Sequence, residues 1–132
     1  MSLTVLAIDD DPHTRELIAA ILELTGCRVL IAEDGAAGLR LAERHRPDAI
    51  LLDLSMPGMD GYEVCRALAD RPATQRIPVI FVTSSDDPGL NRRAYALGAF
   101  ACVPKPFRRE ALVSTIQAVV RAAGPAGPPR AG

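Results

Sequence analysis

The sequence predicts an α/β fold in which a doubly wound, five-stranded parallel sheet carries helices on both faces. Three observations lead there. Five short apolar runs recur along the chain, and they are continuous rather than alternating, as strands buried on both faces should be. Longer amphipathic segments separate them. The 132 residues suffice for one hydrophobic core without disulfide or metal support.

The elements follow in order. "LTVLAI" (3–8) is the first strand candidate. "HTRELIAAILELTG" then places Leu17, Ile18, Ile21, Leu22 and Leu24 at helical spacing, with Gly26 as the stop. Asp11 with Pro12 beside it reads as the N-cap or first-turn acid of that helix. "RVLIA" (28–32) is the second strand, and "DGAAGLRLAERH" a helix capped by Asp34. "AILLDL" (49–54) precedes the helix "GYEVCRALAD". "IPVIFVT" (77–83) precedes "PGLNRRAYALG", which ends at Gly98. "FACV" (100–103) and the helix "RREALVSTIQAVVRAA" complete the domain, 1–123. Right-handed crossovers put these helices on both faces. The remainder, 124–132, is Pro/Gly-rich without apolar periodicity and reads as a flexible tail or the start of a linker.

Composition excludes several classes. The formal net charge of -1 gives no basic field of the kind that marks nucleic-acid binding. No apolar run approaches the span of a bilayer, so the chain reads as soluble and cytoplasmic, with no membrane partner. Cys27, Cys65 and Cys102 are widely spaced and odd in number, which fits reduced, half-buried thiols better than disulfides or zinc. Of the 15 basic residues only Lys105 is a lysine. A position that keeps a compact ammonium in an arginine-rich chain invites inspection.

In an open parallel sheet, ligands bind beyond the carboxyl ends of the strands. The first run ends in Asp9 and Asp10, the third in Asp53, the fourth in Thr83 and Ser84, and the fifth near Lys105. Carboxylates brought together repel, by roughly 1–4 kcal/mol per close pair at surface-like dielectric. A hard divalent cation resolves that conflict, and Mg²⁺ takes carboxylate oxygens together with phosphate oxygens. If all three acids of "AIDDDP" capped the first helix no metal would be needed, but one acid suffices for a cap. Aspartate is also a nucleophile toward phosphorus. Phosphoryl transfer asks for in-line positioning and charge neutralisation. Mg²⁺, Lys105 and the Thr83 hydroxyl are suited to supply these.

"IDDDP", "LLDLSMPGMDGYEV", "VTSSDD", "ALGAF" and "VPKPF" together resemble the receiver domain of two-component response regulators, the CheY-like family, from about residue 3 to 122. The resemblance implies the strand order 2-1-3-4-5 of flavodoxin-like sheets. It implies that Asp9 and Asp10 hold Mg²⁺, for which Mn²⁺ substitutes, with the backbone carbonyl of Ser55 completing the site around Asp53. Asp53 is implied as the phosphoacceptor, taking its phosphoryl group from a sensor histidine kinase or a phosphotransfer protein. Thr83 matches the hydroxyl that moves toward the phosphoryl group, and Lys105 the family's lysine, with a cis bond to Pro106. Met56, Pro57, Gly58 and Gly61 match the turn after the acceptor strand. Such a chain catalyses its own phosphorylation and slow dephosphorylation without being a turnover enzyme, and it signals by binding a downstream protein. Ser55 and Ser85 flank the site and bear on the lifetime of the acyl phosphate.

One position departs from the family. Three residues before the lysine an aromatic residue is usual, and here Cys102 stands. Phe100, two residues earlier and on the same strand face by period two, is the expected partial substitute. Three other readings remain. A haloacid-dehalogenase-type phosphatase carries DxDx[TV] after its first strand, but His13 fills the last position here. An FMN binder needs a Gly/Ser/Thr first turn where this chain has acids. A receiver-like module that is never phosphorylated would keep the fold and lose the chemistry. Tyr62, Tyr95 and Phe81 read as packing or surface residues, His13 and His45 as unclustered, and Arg92, Arg93, Arg108 and Arg109 as solvated helix residues.

Overall fold

The computed structural model describes residues 3–56, 58–84 and 89–123. Its strands and helices alternate: β1 (Thr4–Ile8), α1 (Pro12–Glu23), β2 (Arg28–Ala32), α2 (Gly35–His45), β3 (Ala49–Leu52), α3 (Gly61–Asp70), β4 (Val79–Thr83), α4 (Leu90–Ala96), β5 (Ala101–Pro104) and α5 (Arg109–Ala123). All pairings are parallel and the sheet order is β2-β1-β3-β4-β5. The continuous apolar runs are explained by this order. Central β1, β3 and β4 are buried on both faces, whereas edge strands β2 and β5 are partly exposed.

Period two divides the core into two layers. Val5, Ala7, Leu51, Ile80, Val82 and Val103 face Ile18, Ile21 and Leu22 of α1 and Leu112, Ile116 and Val119 of α5. Leu6, Ile8, Ile50, Leu52 and Phe81 face Leu39 and Ala42 of α2 and Val64, Cys65 and Leu68 of α3. Each fully buried Leu, Ile or Phe contributes roughly 1.5–3 kcal/mol through the hydrophobic effect. That term fixes the register, because a one-residue slip would exchange the layers.

Local signals set the boundaries. Asp11 and Asp34 cap α1 and α2 as expected, accepting from the His13 and Ala37 amides, and Pro12 opens α1. Asp60 caps α3 in the same way, a role the sequence reading did not assign. Gly26 and Gly98 turn the chain at φ +83° and +92° after α1 and α4. The cap of α2 is instead Arg46, a non-glycine residue at φ +46°. The apolar runs overshoot the strands by a residue or two: the third strand stops at Leu52, one residue before Asp53. Pro57 of the expected turn, Ser85 of the flanking pair, Pro88 at the head of the fourth helical segment and the 124–132 tail lie outside the described residues.

Two expectations are corrected. Phe100 does not share a face with Cys102. It precedes β5 and packs with the α1/α5 layer, while Cys102 packs with the α2/α3 layer. Period two holds only within the strand, which starts at Ala101. Cys65 is fully buried rather than half-buried, whereas Cys27 and Cys102 are intermediate; none of the three is in a disulfide. No described helix is long and apolar enough to cross a membrane.

Candidate functional site

The carboxyl ends of four strands deliver the site. Asp9 follows β1 at once, and its N–H donates to the Ala32 carbonyl at 3.1 Å, which extends the β1–β2 ladder by one rung. Asp53 follows β3 and donates likewise to the Ile8 carbonyl at 3.0 Å. Thr83 is the last residue of β4 and accepts from the Lys105 N–H at 2.9 Å, so the backbone next to the ammonium is anchored to the strand. The Lys105–Pro106 peptide is cis, as the resemblance implied.

These ends converge. One carboxylate oxygen from each of Asp9, Asp10 and Asp53 lies within 4.8 Å of the others. Asp9 is 2 % exposed and Asp53 6 %, while Asp10 is at the surface. Two acids out of water need a cation, and Lys105 provides one. Its Nζ donates to Asp9 Oδ2 at 2.7 Å and stands 3.7 Å from Asp53 Oδ1. Hard oxygen donors, two of them buried and carrying more negative charge than one lysine cancels, suit Mg²⁺. Thr83 is 2 % exposed on the adjacent strand end. Among the described residues this is the one cluster of metal-type ligands, and neither His13 nor His45 belongs to it.

The electrostatics follow from burial. The Asp53 carboxyl is held above the ordinary carboxylate range, chiefly by desolvation. The Lys105 ammonium pulls it down, the Asp9 charge pushes it up, the Ser55 N–H lowers it and the Asp10 charge raises it. The Ser55 bond to Asp53 Oδ1 is long at 3.4 Å, which leaves that oxygen weakly engaged.

Asp11 is a different kind of acid. One carboxylate oxygen accepts from His13 N–H at 3.1 Å and the other from Thr14 Oγ1 at 2.8 Å. The Thr14 bond, with help from the His13 amide, holds its carboxyl below the ordinary range. Both its oxygens serve the cap, so the second acid of a DxD phosphatase motif is not available, and the haloacid-dehalogenase reading fails.

Three features were not legible in the sequence. Arg15, one turn into α1, donates from Nη1 to the Asp9 carbonyl at 2.9 Å. Gly61 at the start of α3 lies so close to the segment after β3 that a Cβ there would meet the Asp53 carbonyl oxygen at 2.4 Å and the Leu54 Cα at 2.7 Å. Its place in a "GMDG" turn was the only signal. Finally, the Tyr62 ring packs edge-on against Phe81 with centroids 5.8 Å apart, and Arg93 of α4 sits over Tyr62 at 5.4 Å. Cys102 stands opposite Phe81 in the β4–β5 register, and burial raises its thiol pKa.

Comparison with known proteins gives a consistent result. Residues 5–117 match the family model of the response regulator receiver domain. The chain is 37% identical over 123 residues to the response regulator MprA of Mycobacterium leprae (strain TN), covering 93% of this chain and 53% of that protein. It is 38% identical over 121 residues to the response regulator PleD of Caulobacter vibrioides, covering 92% of this chain and 27% of the relative. The chain thus spans about half, or less, of the length of these relatives. Among solved structures it resembles the chemotaxis protein CheY4 of Vibrio cholerae, with a TM-score of 0.85 at 32% identity over 90% of this chain and 99% of that one. It also resembles the receiver domain of the sensor histidine kinase PA1611 from Pseudomonas aeruginosa PAO1 (TM-score 0.84, 31% identity, 92% and 99% covered), whose structure has a magnesium ion coordinated in the active-site cleft.

Proposed function

Since the chain belongs to the response regulator receiver domain family of two-component systems, we propose that it is a phosphorylation switch whose acceptor is Asp53. A sensor histidine kinase, or a phosphotransfer protein, presents a phosphohistidine at the crevice. An ionised Asp53 oxygen forms the new O–P bond as the N–P bond of the phosphohistidine breaks, and the imidazole leaves. The buried carboxyl resists ionisation, and the Lys105 ammonium at 3.7 Å opposes that resistance. Lys105 then neutralises a phosphoryl oxygen, and the Thr83 hydroxyl donates to another.

Asp9, Asp10 and Asp53, with the Ser55 backbone carbonyl, are the residues that would hold Mg²⁺ or its substitute Mn²⁺. When bound, the cation supplies charge neutralisation at the phosphoryl oxygens. The single observation that carries this reading is the meeting of three carboxylates and the one lysine of the chain at a single sheet edge.

Domain 1–123 is the receiver, and 124–132 the start of a linker or a tail. The output is binding of a downstream protein in the cytoplasm, with no nucleic-acid or membrane contact by this domain. Phosphorylation biases a pre-existing equilibrium of loops and helix faces. The chain promotes its own phosphorylation and slow dephosphorylation and turns over no separate substrate.

The test is intact mass after incubation with acetyl phosphate, with and without Mg²⁺, for the natural chain and Asp53→Ala. A single phosphoryl gain that needs both Mg²⁺ and Asp53 is expected. No gain, with beryllofluoride also failing to bind, would leave a receiver-shaped interaction module that is never phosphorylated.

A further inference from the structure

We propose that Arg15 is a positioning residue for the cation site, acting through the Asp9–Asp10 peptide; this rests on the reading that Asp9, Asp10 and Asp53 hold Mg²⁺. The three carboxylates are not held alike. Asp9 is fixed on every side: Oδ1 accepts from the Asp11 N–H at 2.9 Å, Oδ2 from Lys105 at 2.7 Å, and its N–H is spent on Ala32 at 3.1 Å. Asp53 is buried, and its N–H is tied to Ile8. Asp10 is exposed, and among the described residues no hydrogen bond or ion pair reaches its carboxylate. Yet one of its oxygens stays within 4.8 Å of the other two acids, where mutual repulsion favours turning outward to water.

The backbone must therefore aim Asp10. The peptide joining Asp9 to Asp10 is a rigid plane, so its orientation sets the direction from which the Asp10 side chain departs. The Asp9 carbonyl belongs to that plane, and the half-buried Arg15 holds it by a 2.9 Å charge-assisted bond. Removing Arg15 frees the plane to rock, and the exposed acid then swings toward solvent. Partners that orient metal ligands, without touching the metal, typically change affinity about 10–100-fold. A rival effect has the opposite sign. A guanidinium near a cation site repels the cation, and its loss would tighten binding. The direction of the change therefore decides between them.

The experiment titrates the full chain with MnCl2 and reads free Mn²⁺ by electron paramagnetic resonance, in a cycle of the natural chain, Arg15→Met, Asp10→Asn and the double variant. Arg15→Met is expected to weaken Mn²⁺ about tenfold when Asp10 is present. In the Asp10→Asn background its effect should fall below about twofold, because no ionised Asp10 is left to aim. Equal factors in both backgrounds would overturn the proposal, since a merely structural arginine acts the same with or without Asp10. Unchanged or tighter binding in Arg15→Met would also overturn it. Arg15→Gln, run through the same cycle, keeps the test decisive should the Met variant unfold. A natural chain that binds no Mn²⁺ would sink the cation-site reading itself, and Arg15's role with it.

Discussion

The Lys105 ammonium donates to Asp9 Oδ2 at 2.7 Å but stands 3.7 Å from Asp53 Oδ1, so it leans on Asp9 rather than on Asp53. A divalent cation held by the Asp9 carboxylate would therefore compete with Lys105 for it. Lys105→Met removes both the competitor and a like charge, and Mg²⁺ affinity is expected to rise about tenfold, or ~1.4 kcal/mol. Phosphoryl acceptance should fall about 10²–10³-fold, the usual cost of losing a preorganised charge at a transition state. Calorimetric Mg²⁺ titration and the rate of mass gain with acetyl phosphate check the two halves. Weaker Mg²⁺ binding in the variant would refute the competition.

Asp53 makes stability depend on pH. Its folded carboxyl titrates above the unfolded one, chiefly through burial. The folded state thus holds this proton more tightly than the unfolded state does. The stability linked to it is fully present below the unfolded value, about 3.9. It is lost as pH rises through the raised folded value. Above that range the buried Asp53 carboxyl, which resists ionisation, opposes folding. Asp53→Asn should raise Tm by a few degrees at pH 7 in EDTA, about 1 kcal/mol, and the gain should shrink toward pH 4. A variant no more stable than the natural chain at pH 7 would contradict this.

Two glycines separate backbone from side-chain crowding. A Cβ on Gly61 would strike the Asp53 carbonyl oxygen at 2.4 Å, a backbone atom that cannot yield without moving the segment after β3. A Cβ on Gly38 would meet Ile8 Cδ1, also at 2.4 Å, but that is the far end of a flexible side chain. Gly61→Ala is expected to cost about 2–4 kcal/mol and Gly38→Ala about 1–2 kcal/mol. Urea unfolding midpoints measure both. Reversed order would show that Ile8, packed in the core, yields less than the segment after β3.

Cys102 stands opposite Phe81 and faces the α2/α3 layer, and the aromatic residue nearest in sequence, Phe100, packs on the other layer. Among the described residues β5 itself, Ala101–Pro104, carries no aromatic side chain on that face. Cys102→Tyr restores one. Hydrogen exchange at the Ala101–Pro104 strand, measured with and without beryllofluoride, should differ more between the two states in the Tyr variant. An identical difference in both proteins would mean that Cys102 does not weaken the coupling.

Much of the site was legible before the fold was known. Asp9, Asp53 and Thr83 each end an apolar run, and a parallel sheet sends all such ends to one edge. The first two helix caps were legible for the same local reason, since Asp11 and Asp34 precede amphipathic segments and reach amides two or three residues ahead. Phe100 was misread because period two was carried one residue past the start of β5, where no strand geometry enforces it.

By itself, then, the amino-acid sequence determined the alternation of elements, the two-sided burial of the central strands, and which residue types reach the carboxyl edge. Hydrophobic period and capping chemistry act over a few residues, so a linear reading captures them. Tertiary structure alone decided that Lys105 pairs with Asp9 more closely than with Asp53, that Arg15 grips the Asp9 carbonyl, and that Gly61 leaves room for the Asp53–Leu54 backbone. The lysine and glycine contacts join separate elements, and the arginine's reach depends on how α1 leaves β1. All three depend on distances of a few tenths of an ångström, set only when both layers of the core have packed.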